Sequence, residues 1–527
     1  MPCAVVAACV ATDLERLAAR TLCVGFEGTQ AAPGVLAALS ALRPAGIILF
    51  ERNVTDVEGA RRLAERARQA CELDDGPPLL VAYDQEGGRV ARLRRGAAEL
   101  PSAMALGAAD DEALCERVGR ALARDVRRAE GNVDFAPVLD VASDPRNTVI
   151  GTRSFGDDAQ RVARLGLAVA RGIERAGVAA AVKHFPGHGA TAVDSHLALP
   201  TVEATIETLR ARDLAPFARA ATAGVSMVMT AHVAVPALEP DGRPATLSRR
   251  LLTGVLREEL CFAGVCVTDC LEMGAIADTI GSERGAVEAL AAGADLLVVS
   301  DHLDLAARIA RAIAEAVRGG GISAARLEEA VARVDALRTR LRGQVPLPVD
   351  DAGLGREAAR AALVSLREPL ARWQRGSRAA VVSFEAPARG VATPVDGVAG
   401  VPRLGAALRE RGVRLAEARC SSAPDEGQIR AARDAIASAD DAEHVAIVVR
   451  RAQHDPAQVA SARALLECAP EALVIVAREP YDAVLLPGAR RVLFTFGDEG
   501  ISLEAAADAM TGACVPAGRL PVAIEGA

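Results

Sequence analysis

Apolar runs of strand length alternate with longer stretches of helical periodicity from residue 20 to about residue 340. Stretches such as VEGARRLAERARQACE place apolar residues at helical spacing, whereas the runs between them are almost continuously apolar. Apolar strands separated by helices indicate a parallel sheet covered on both faces. Eight such units in series predict a (β/α)8 TIM-type barrel. The eight runs are TLCVGFEG, AGIILF, LLVAYDQEGG, NVDFAPVLDV, AAAVKHFPGHG, VSMVMTAHV, AGVCVTDC and ADLLVVS.

The pattern breaks after the predicted barrel and then restarts. RLRGQVPLPVDDAGLG combines proline, glycine and aspartate without periodicity, which is typical of a linker. We therefore expect a barrel over residues 1–342, a linker over 343–356 and a smaller α/β sandwich domain over 357–527. The apolar runs of this second domain are RAAVVSF, GVRLAEA, EHVAIVVR, EALVIVA, RRVLFTF and LPVAI.

Polar side chains stand at the points where the predicted strands end. The carboxyl ends of the strands are where a barrel of this type holds its active site. An aspartate in such a position can also be the N-cap of the next helix, so Asp84 and Asp269 each allow two interpretations. The strand-end polar residues are Asp84, Asp140, Lys183 to His188, His232, Asp269 and Asp301.

The stretch AVKHFPGHGATAVDSHLALP, residues 181–200, holds the single lysine of the chain, Lys183, and three of its 7 histidines. A metal site is one interpretation, since imidazole is a common metal ligand. The spacing of the three histidines fits no standard zinc signature and no nearby thiol completes one, so we expect no metal here. His188 lies between glycines, and we expect it to hydrogen-bond within the loop.

Asp194 and His196 form the part of this stretch that is best suited to proton transfer. A carboxylate beside an imidazole orients the ring and raises its basicity, which makes the pair usable near neutral pH. Ser195 as a nucleophile is the alternative, but no G-x-S-x-G elbow lies near it.

Composition indicates which kinds of partner and which cellular compartment are compatible with the chain. Hydrophobic residues make up 51% of the 527 residues and charged residues 25%, as in an ordinary globular protein. A net charge of −8 and an aromatic content of 2% argue against nucleic-acid binding. No uncharged apolar run approaches the ~18 residues that span a bilayer, and the start MPCAVVAACVATDLER lacks a basic n-region. The 11 scattered cysteines favour a reducing, cytoplasmic environment. The oligomeric state is left open.

Taken together, several of these motifs resemble glycoside hydrolase family 3, in its bacterial exo-β-N-acetylglucosaminidase branch. The resemblance covers roughly residues 10 to 345 and, more faintly, the C-terminal segment TGACVPAGRLPVAI. The motifs that carry it are DQEGGRVARL, DFAPVLDV, GTRSFG, KHFPGHGATAVDSH, TAHVAVPALEPDGRPATLS and VTDCLEMGAI.

The resemblance implies a set of residue roles. Asp269 would be the nucleophile that forms a covalent glycosyl-enzyme intermediate. His196 would be the general acid/base, with Asp194 as the other half of the dyad, in place of the second carboxylate of most retaining glycosidases. Many relatives carry a second acid or a small residue at the position of Cys270. The residues implied to bind the non-reducing sugar are Asp84, Arg92, Arg153, Lys183 and His184.

Lys183 has a physical reason to persist in a chain that otherwise uses arginine. Arginine is a broad planar fork, whereas lysine is a compact point charge on a slim stem, so the two are not interchangeable at a tight site. A pocket that grips one sugar hydroxyl tolerates only the smaller head group. The sequence therefore predicts a functional Lys183.

Four functions compete at this point. The first is a hydrolase that removes terminal β-linked N-acetylglucosamine from peptidoglycan-derived fragments, with a small carbohydrate or muropeptide as substrate and no cofactor. The second is a phosphorylase, since a neutral imidazole does not repel a phosphate dianion as a glutamate would. The third is a β-glucosidase, against which the Asp194–His196 loop counts. The fourth is a non-catalytic sugar-binding protein, against which the presence of Asp269 and His196 counts.

Overall fold

The computed structural model describes residues 12–71, 76–191, 199–342, 353–385 and 401–524. Eight parallel strands close into a barrel in the order β1-β10-β9-β8-β7-β6-β3-β2. Each of them lies within one of the eight apolar runs, so the predicted (β/α)8 barrel is confirmed. The barrel strands are β1 Leu22–Val24, β2 Gly46–Ile48, β3 Leu80–Tyr83, β6 Val133–Asp134, β7 Ala179–Phe185, β8 Met227–Thr230, β9 Val265–Cys270 and β10 Leu296–Val299.

Helices cover the outside of the barrel, and a short hairpin of β4 (Gln85–Gly87) and β5 (Val90–Ala91) follows β3. Two connections contain π-helical segments, Leu209–Asp213 and Arg250–Glu259, and three contain 3-10 turns, Glu51–Asn53, Gly151–Arg153 and Ala245–Leu247. The helices of this part are α1 Asp13–Ala19, α2 Pro33–Leu42, α3 Val57–Cys71, α4 Ala103–Ala109, α5 Glu112–Arg128, α6 Ala159–Arg175, α7 Ile206–Thr208, α8 Leu214–Ala223, α9 Gly274–Ala277, α10 Ser282–Ala292, α11 Leu303–Arg318 and α12 Ala324–Arg342.

Helix α5 shows how the sequence sets these elements. Asp111 caps it by accepting hydrogen bonds from the backbone N–H groups of Ala113 and Leu114 at 2.8 and 3.0 Å. Two arginines in the last turn complement the helix dipole. One face is buried against α6 and the barrel, because Leu114, Val118, Leu122 and Val126 recur every four residues.

The barrel interior is filled with side chains rather than open. Alternate residues of the strands point inward, and helix α12 closes the amino-terminal end with Val334, Leu337 and Leu341. With that end closed by apolar packing, the carboxyl ends of the strands form the accessible mouth.

The second domain is a six-stranded sheet in the order β11-β16-β15-β14-β12-β13. Helices α14 and α17 cover one face and helices α15 and α16 the other. Its elements are α13 Leu354–Ala362, β11 Val364–Arg367, β12 Arg378–Phe384, α14 Val401–Glu410, β13 Arg414–Cys420, α15 Glu426–Ala437, β14 Val445–Val449, α16 Pro456–Cys468, β15 Leu473–Val476, β16 Arg491–Phe494 and α17 Gly500–Met510, with 3-10 turns at Ala442–His444, Ala452–His454 and Pro480–Leu485.

Three details of this domain differ from expectation. Strand β11 was not predicted and pairs antiparallel with β16. The run LPVAI was predicted to be a strand and is not one, because its backbone bonds to the barrel instead: Pro521 O accepts hydrogen bonds from Asp157 N at 3.1 Å and from Arg161 Nη1 at 3.0 Å. Helix α13 begins at Leu354, within the range expected to be linker.

The two domains share one apolar cluster. Met104, Ala105 and Ala108 of helix α4 and Ala142 pack with the face of the second sheet that α15 and α16 cover. The Ser102 hydroxyl donates to Phe496 O at 2.6 Å across the same contact. Within the described ranges, no helix is both long and apolar enough to cross a membrane.

Candidate active site

The sugar-binding residues implied by the sequence converge at the mouth of the barrel. Asp84 follows β3, Lys183 and His184 lie at the end of β7, and Arg153 ends the 3-10 turn that follows β6. Arg92 comes directly after the β4–β5 hairpin and reaches Asp84, with 3.6 Å between Nη2 and Oδ2. The parallel barrel brings these strand ends together although the residues are up to about one hundred positions apart.

Lys183 is the centre of this group. Its side chain is 2% exposed, and Nζ lies 2.8 Å from Asp84 Oδ1 and 2.7 Å from Glu86 Oε1. Burial alone would lower the pKa of Lys183, but the two carboxylates raise it above its ordinary value. Lys183 is therefore charged at neutral pH, and two of the three donors of its ammonium group are used within the protein.

Glu86 joins Lys183 to Arg153. It accepts two hydrogen bonds from Arg153, from Nε at 2.8 Å and from Nη2 at 2.7 Å, which is the bidentate geometry of a fork on a carboxylate. Although burial opposes ionisation, the charges of Arg153 and Lys183 hold the pKa of Glu86 far below its usual range. Glu86 was not predicted to be a site residue, although it lies two residues after Asp84 in the same DQEGG motif.

His184 is oriented by a buried carboxylate. Its Nδ1 lies 2.6 Å from Asp140 Oδ2, and its Nε2 lies 3.4 Å from Arg153 Nη2. Asp140 is fully buried, and despite that burial His184 and His188 lower its pKa. Asp140 was named as a strand-end residue but not as a site residue; its position after the predicted strand was the available signal.

His188 binds within its own loop, as expected. Its backbone N–H donates to Asp140 Oδ1 at 2.7 Å, and its Nδ1 lies 2.8 Å from Thr191 Oγ1. Burial lowers the pKa of His188 to about 4, so the ring is neutral at physiological pH. Asp194 and His196, the predicted acid/base dyad, lie outside the described residues.

Asp269 lies at the end of β9, at the same end of the barrel. Its Oδ1 accepts the backbone N–H of Cys270 at 2.8 Å, and its charge acts on the buried ring of His188. Burial raises the pKa of the Cys270 thiol to about 12, so this side chain brings no charge beside Asp269. Cys270 Sγ lies 2.9 Å from Ser300 Oγ.

His232 contacts the backbone at the end of the same strand. It is fully buried, with Nε2 at 2.9 Å from Cys270 O and Nδ1 at 2.8 Å from Thr246 Oγ1. His232 was predicted to lie at a strand end, with no role assigned; in the structure it contacts the backbone next to Asp269.

Among the described residues, no three histidine, cysteine or acidic side chains are arranged to hold a metal ion. What the mouth offers instead is a carboxylate on β9 and a rigid set of donors and acceptors around Lys183. Paired donors and acceptors of this kind suit a ligand with several hydroxyl groups. The fold and the site define a barrel enzyme that acts on carbohydrates.

The comparisons with known proteins agree with that class. The model of the glycosyl hydrolase family 3 N terminal domain matches residues 28–337. The chain belongs to this family.

Two named relatives and one solved structure show further similarity. The chain is 35% identical over 338 residues to a β-hexosaminidase A of Pseudoalteromonas piscicida, a match that spans 60% of this chain and 56% of that protein. It is 43% identical over 262 residues to a β-hexosaminidase of Pseudomonas aeruginosa (strain LESB58), over 49% of this chain and 75% of that protein. A solved family 3 β-N-acetylglucosaminidase from Paenibacillus sp. str. FPU-7 superposes with a TM-score of 0.90 at 35% identity and covers 98% of this chain and 99% of its own.

Proposed function

We propose that the protein is a retaining exo-glycosidase that releases terminal β-linked N-acetylglucosamine. The observation that carries the proposal is the ion-paired group of Asp84, Glu86, Arg153 and Lys183, whose side chains are 2–14% exposed, at the same barrel end as Asp269. We assign this set of mutually bonded polar groups to the non-reducing end of a sugar chain. The similarity to a family 3 β-N-acetylglucosaminidase over nearly the whole chain supports the choice of sugar.

The reaction divides into two displacements at the anomeric carbon. In the first, a carboxylate oxygen of Asp269 attacks this carbon while His196 gives its proton to the departing glycosidic oxygen. In the second, His196 takes a proton from water, whose oxygen attacks the same carbon and releases Asp269. Two inversions restore the β configuration, and we assign Asp194 as the other half of the acid/base dyad.

The group around Lys183 holds the sugar during both steps. Lys183 has one donor left after its contacts with Asp84 and Glu86, and we assign that donor to a sugar hydroxyl. Asp84, Arg92, Arg153 and His184 provide the remaining polar contacts. Because these side chains are fixed before substrate arrives, little ordering cost remains for binding.

The substrate source and compartment are part of the same proposal. We infer that the sugar comes from peptidoglycan fragments, including muropeptides, and that the protein works in the cytoplasm. The scattered cysteines support this compartment: those within the described ranges are all free thiols, most of them buried.

The test is an assay of the purified chain with a chromogenic aryl β-N-acetylglucosaminide, with and without millimolar phosphate. Free N-acetylglucosamine in both buffers is the expected product. A sugar 1-phosphate formed at a strongly phosphate-dependent rate would replace hydrolysis with phosphorolysis. Turnover of the matching glucoside alone would overturn the proposed 2-acetamido specificity.

A further inference from the structure

A second group of buried charges lies where the second domain meets the barrel. Arg89 comes from the barrel, just after strand β4, whereas Arg451 follows β14 and Arg478 and Glu479 follow β15. The three residues from the second domain are only 2–3% exposed. The charges of Arg451, Arg478 and Glu479 act on Arg89, and the charges of the three arginines act on Glu479. We call these four residues the interdomain cluster.

Glu479 is the unusual member of the interdomain cluster. Neither of its carboxylate oxygens accepts a hydrogen bond from any residue that the structure describes. Burial opposes its ionisation, yet the charges of Arg478, Arg89 and Arg451 lower its pKa below the ordinary value. A buried charge without hydrogen bonds is costly, so its retention here calls for a reason beyond local packing.

The carboxylate of Glu479 is placed against the loop that carries Arg153. Gly151 begins the 3-10 turn Gly151–Arg153 and has a φ of +45°. A Cβ atom at Gly151 would lie 3.0 Å from Glu479 Oε1, so the carboxylate occupies the space that a side chain would need. The second domain thus reaches within two residues of a sugar-binding arginine.

Arg89 holds the preceding part of the same loop. Its Nη2 donates to the carbonyl oxygens of Val149 at 2.6 Å and of Thr148 at 3.1 Å. Val149 O also accepts Arg153 Nη1 at 3.2 Å, so Arg89 and Arg153 share one acceptor. The position of the Arg89 guanidinium therefore bears directly on that of Arg153.

The loop is also tied to the stretch that leads to the acid/base dyad. Asn147 Nδ2 donates to His188 O at 2.8 Å, while its Oδ1 accepts the backbone N–H of Ile150 at 2.8 Å. Gln453 of the second domain donates to Pro145 O at 3.0 Å. The second domain therefore contacts the loop of residues 144–153 near both ends.

From these contacts we infer that Glu479 is a positioning residue of the second domain: by drawing the Arg89 guanidinium and filling the space beside Gly151, it sets the loop of residues 144–153 and hence Arg153. This inference rests on the proposed function, which assigns Arg153 to the sugar. It gives the second domain a part in substrate binding without any residue of that domain touching the sugar.

The test compares Glu479→Gln with a matched control, Asp508→Asn. Asp508 is also a buried carboxylate of the second domain; it pairs with Arg360 and Arg411 and has no described contact with the barrel loop. Both variants remove one buried negative charge from the same domain. Only Glu479→Gln should change the loop.

Two readouts are needed. Hydrogen–deuterium exchange should become faster in residues 144–153 of Glu479→Gln and stay unchanged there in Asp508→Asn. With the aryl β-N-acetylglucosaminide, KM should rise about tenfold to 100-fold in Glu479→Gln, as expected when a binding group is displaced, with a smaller change in kcat. Glu479→Asp keeps the charge and should lie between wild type and Glu479→Gln; it also replaces Glu479→Gln if the latter does not fold.

The outcomes separate this inference from the proposed function. If exchange and KM of the Glu479 variants match those of Asp508→Asn, Glu479 only stabilises its own domain and the inference is wrong. If wild type releases no sugar while the exchange difference appears, the loop is positioned as inferred and the proposed function is what fails.

Discussion

The mouth of the barrel and the interdomain cluster both bury carboxylates among cations, but they hold them differently. Glu86 accepts two hydrogen bonds from Arg153 at 2.7–2.8 Å and lies 2.7 Å from Lys183. Glu479 accepts none from the described residues and is held by the charges of three arginines. Both carboxylates stay ionised at neutral pH. They therefore differ in whether hydrogen bonds fix their orientation, not in their charge.

The two groups are therefore held by different forces, hydrogen bonds at the mouth and charge attraction in the interdomain cluster. A hydrogen bond fixes the angle as well as the distance between two groups, whereas attraction between charges fixes only their neighbourhood. Under the proposed function the mouth needs fixed angles, because its donors and acceptors would have to meet particular sugar hydroxyl groups. The interdomain cluster needs only to keep a loop close, so loss of its carboxylate should weaken binding without stopping the chemistry.

Asp269→Asn should cause the largest loss of activity among these variants. An amide cannot form the glycosyl ester, so we expect kcat/KM for the aryl β-N-acetylglucosaminide to fall by about 10⁴-fold or more. Steady-state kinetics, with the unfolding midpoint as a check on folding, measures this. Near-normal turnover would remove Asp269 from the role of nucleophile.

His196→Ala should follow, with an effect that depends on the leaving group. General acid catalysis contributes about 10²–10⁴-fold, and it matters most when the departing oxygen is a poor leaving group. We expect a loss in that range for alkyl glycosides and a much smaller loss for nitrophenyl glycosides. Equal losses on both classes of substrate would show that His196 is not the acid.

Lys183→Met removes the cation at the centre of the barrel mouth. It leaves Asp84 and Glu86 without their shared cation, and removing one partner of a buried charge pair costs about 3–5 kcal/mol. We expect the free energy of unfolding to fall by this amount and KM to rise more than in Glu479→Gln. Urea denaturation and steady-state kinetics give the two values.

Lys183→Arg is the matched control for that substitution. It keeps the charge but puts a broader, planar head group where the lysine side chain is only 2% exposed. We therefore expect KM to rise. A variant with normal KM would contradict the prediction that only the smaller head group is tolerated.

His188 should make stability depend on pH. Its pKa is about 4 in the folded protein and 6.5 when exposed, so the unfolded chain binds the extra proton between these values. Stability from His188 is therefore complete above about pH 6.5 and falls by about 1.4 kcal/mol per pH unit below it, towards pH 4. Unfolding of wild type and His188→Gln at about pH 7 and about pH 5 measures the difference. The same slope in both proteins would mean that His188 is not buried as a neutral ring.

Cys270→Ser should have the smallest effect. Because burial keeps the thiol protonated, with a pKa of about 12, it adds no charge beside Asp269. The pH profile of kcat/KM should be unchanged between pH 6 and 9. A shift in its acidic limb would show that Cys270 affects the ionisation of Asp269.

The strand-end residues of the mouth could be predicted from sequence, whereas Glu86 and the interdomain cluster were missed. Asp84, Lys183 and Asp269 each follow a strongly apolar run, and barrel geometry brings such strand ends together whatever their separation in the chain. Arg89 and Glu479 are almost four hundred residues apart, and their contact depends on how two domains dock, for which no local pattern exists. Strand β11 was missed for a related reason, since it is only partly buried and pairs antiparallel at a sheet edge.

The run LPVAI also shows that tertiary contacts can override a local sequence pattern. Its run of apolar residues suggested a strand, but Pro521 O accepts hydrogen bonds from Asp157 N and Arg161 Nη1 of the barrel, so this carbonyl is not available to pair with the sheet. Local pattern predicts an element only where tertiary hydrogen bonds do not claim its backbone.

Lys183 also gives the protein a built-in spectroscopic label. Growth on ¹⁵N-lysine would place the isotope at one side-chain amine in 527 residues, so an ammonium-selective NMR spectrum should contain one resonance. Its slow exchange with solvent would follow from 2% exposure and two carboxylate partners. Titration with N-acetylglucosamine would then report on the sugar pocket directly, without mutation, a chromophore or turnover.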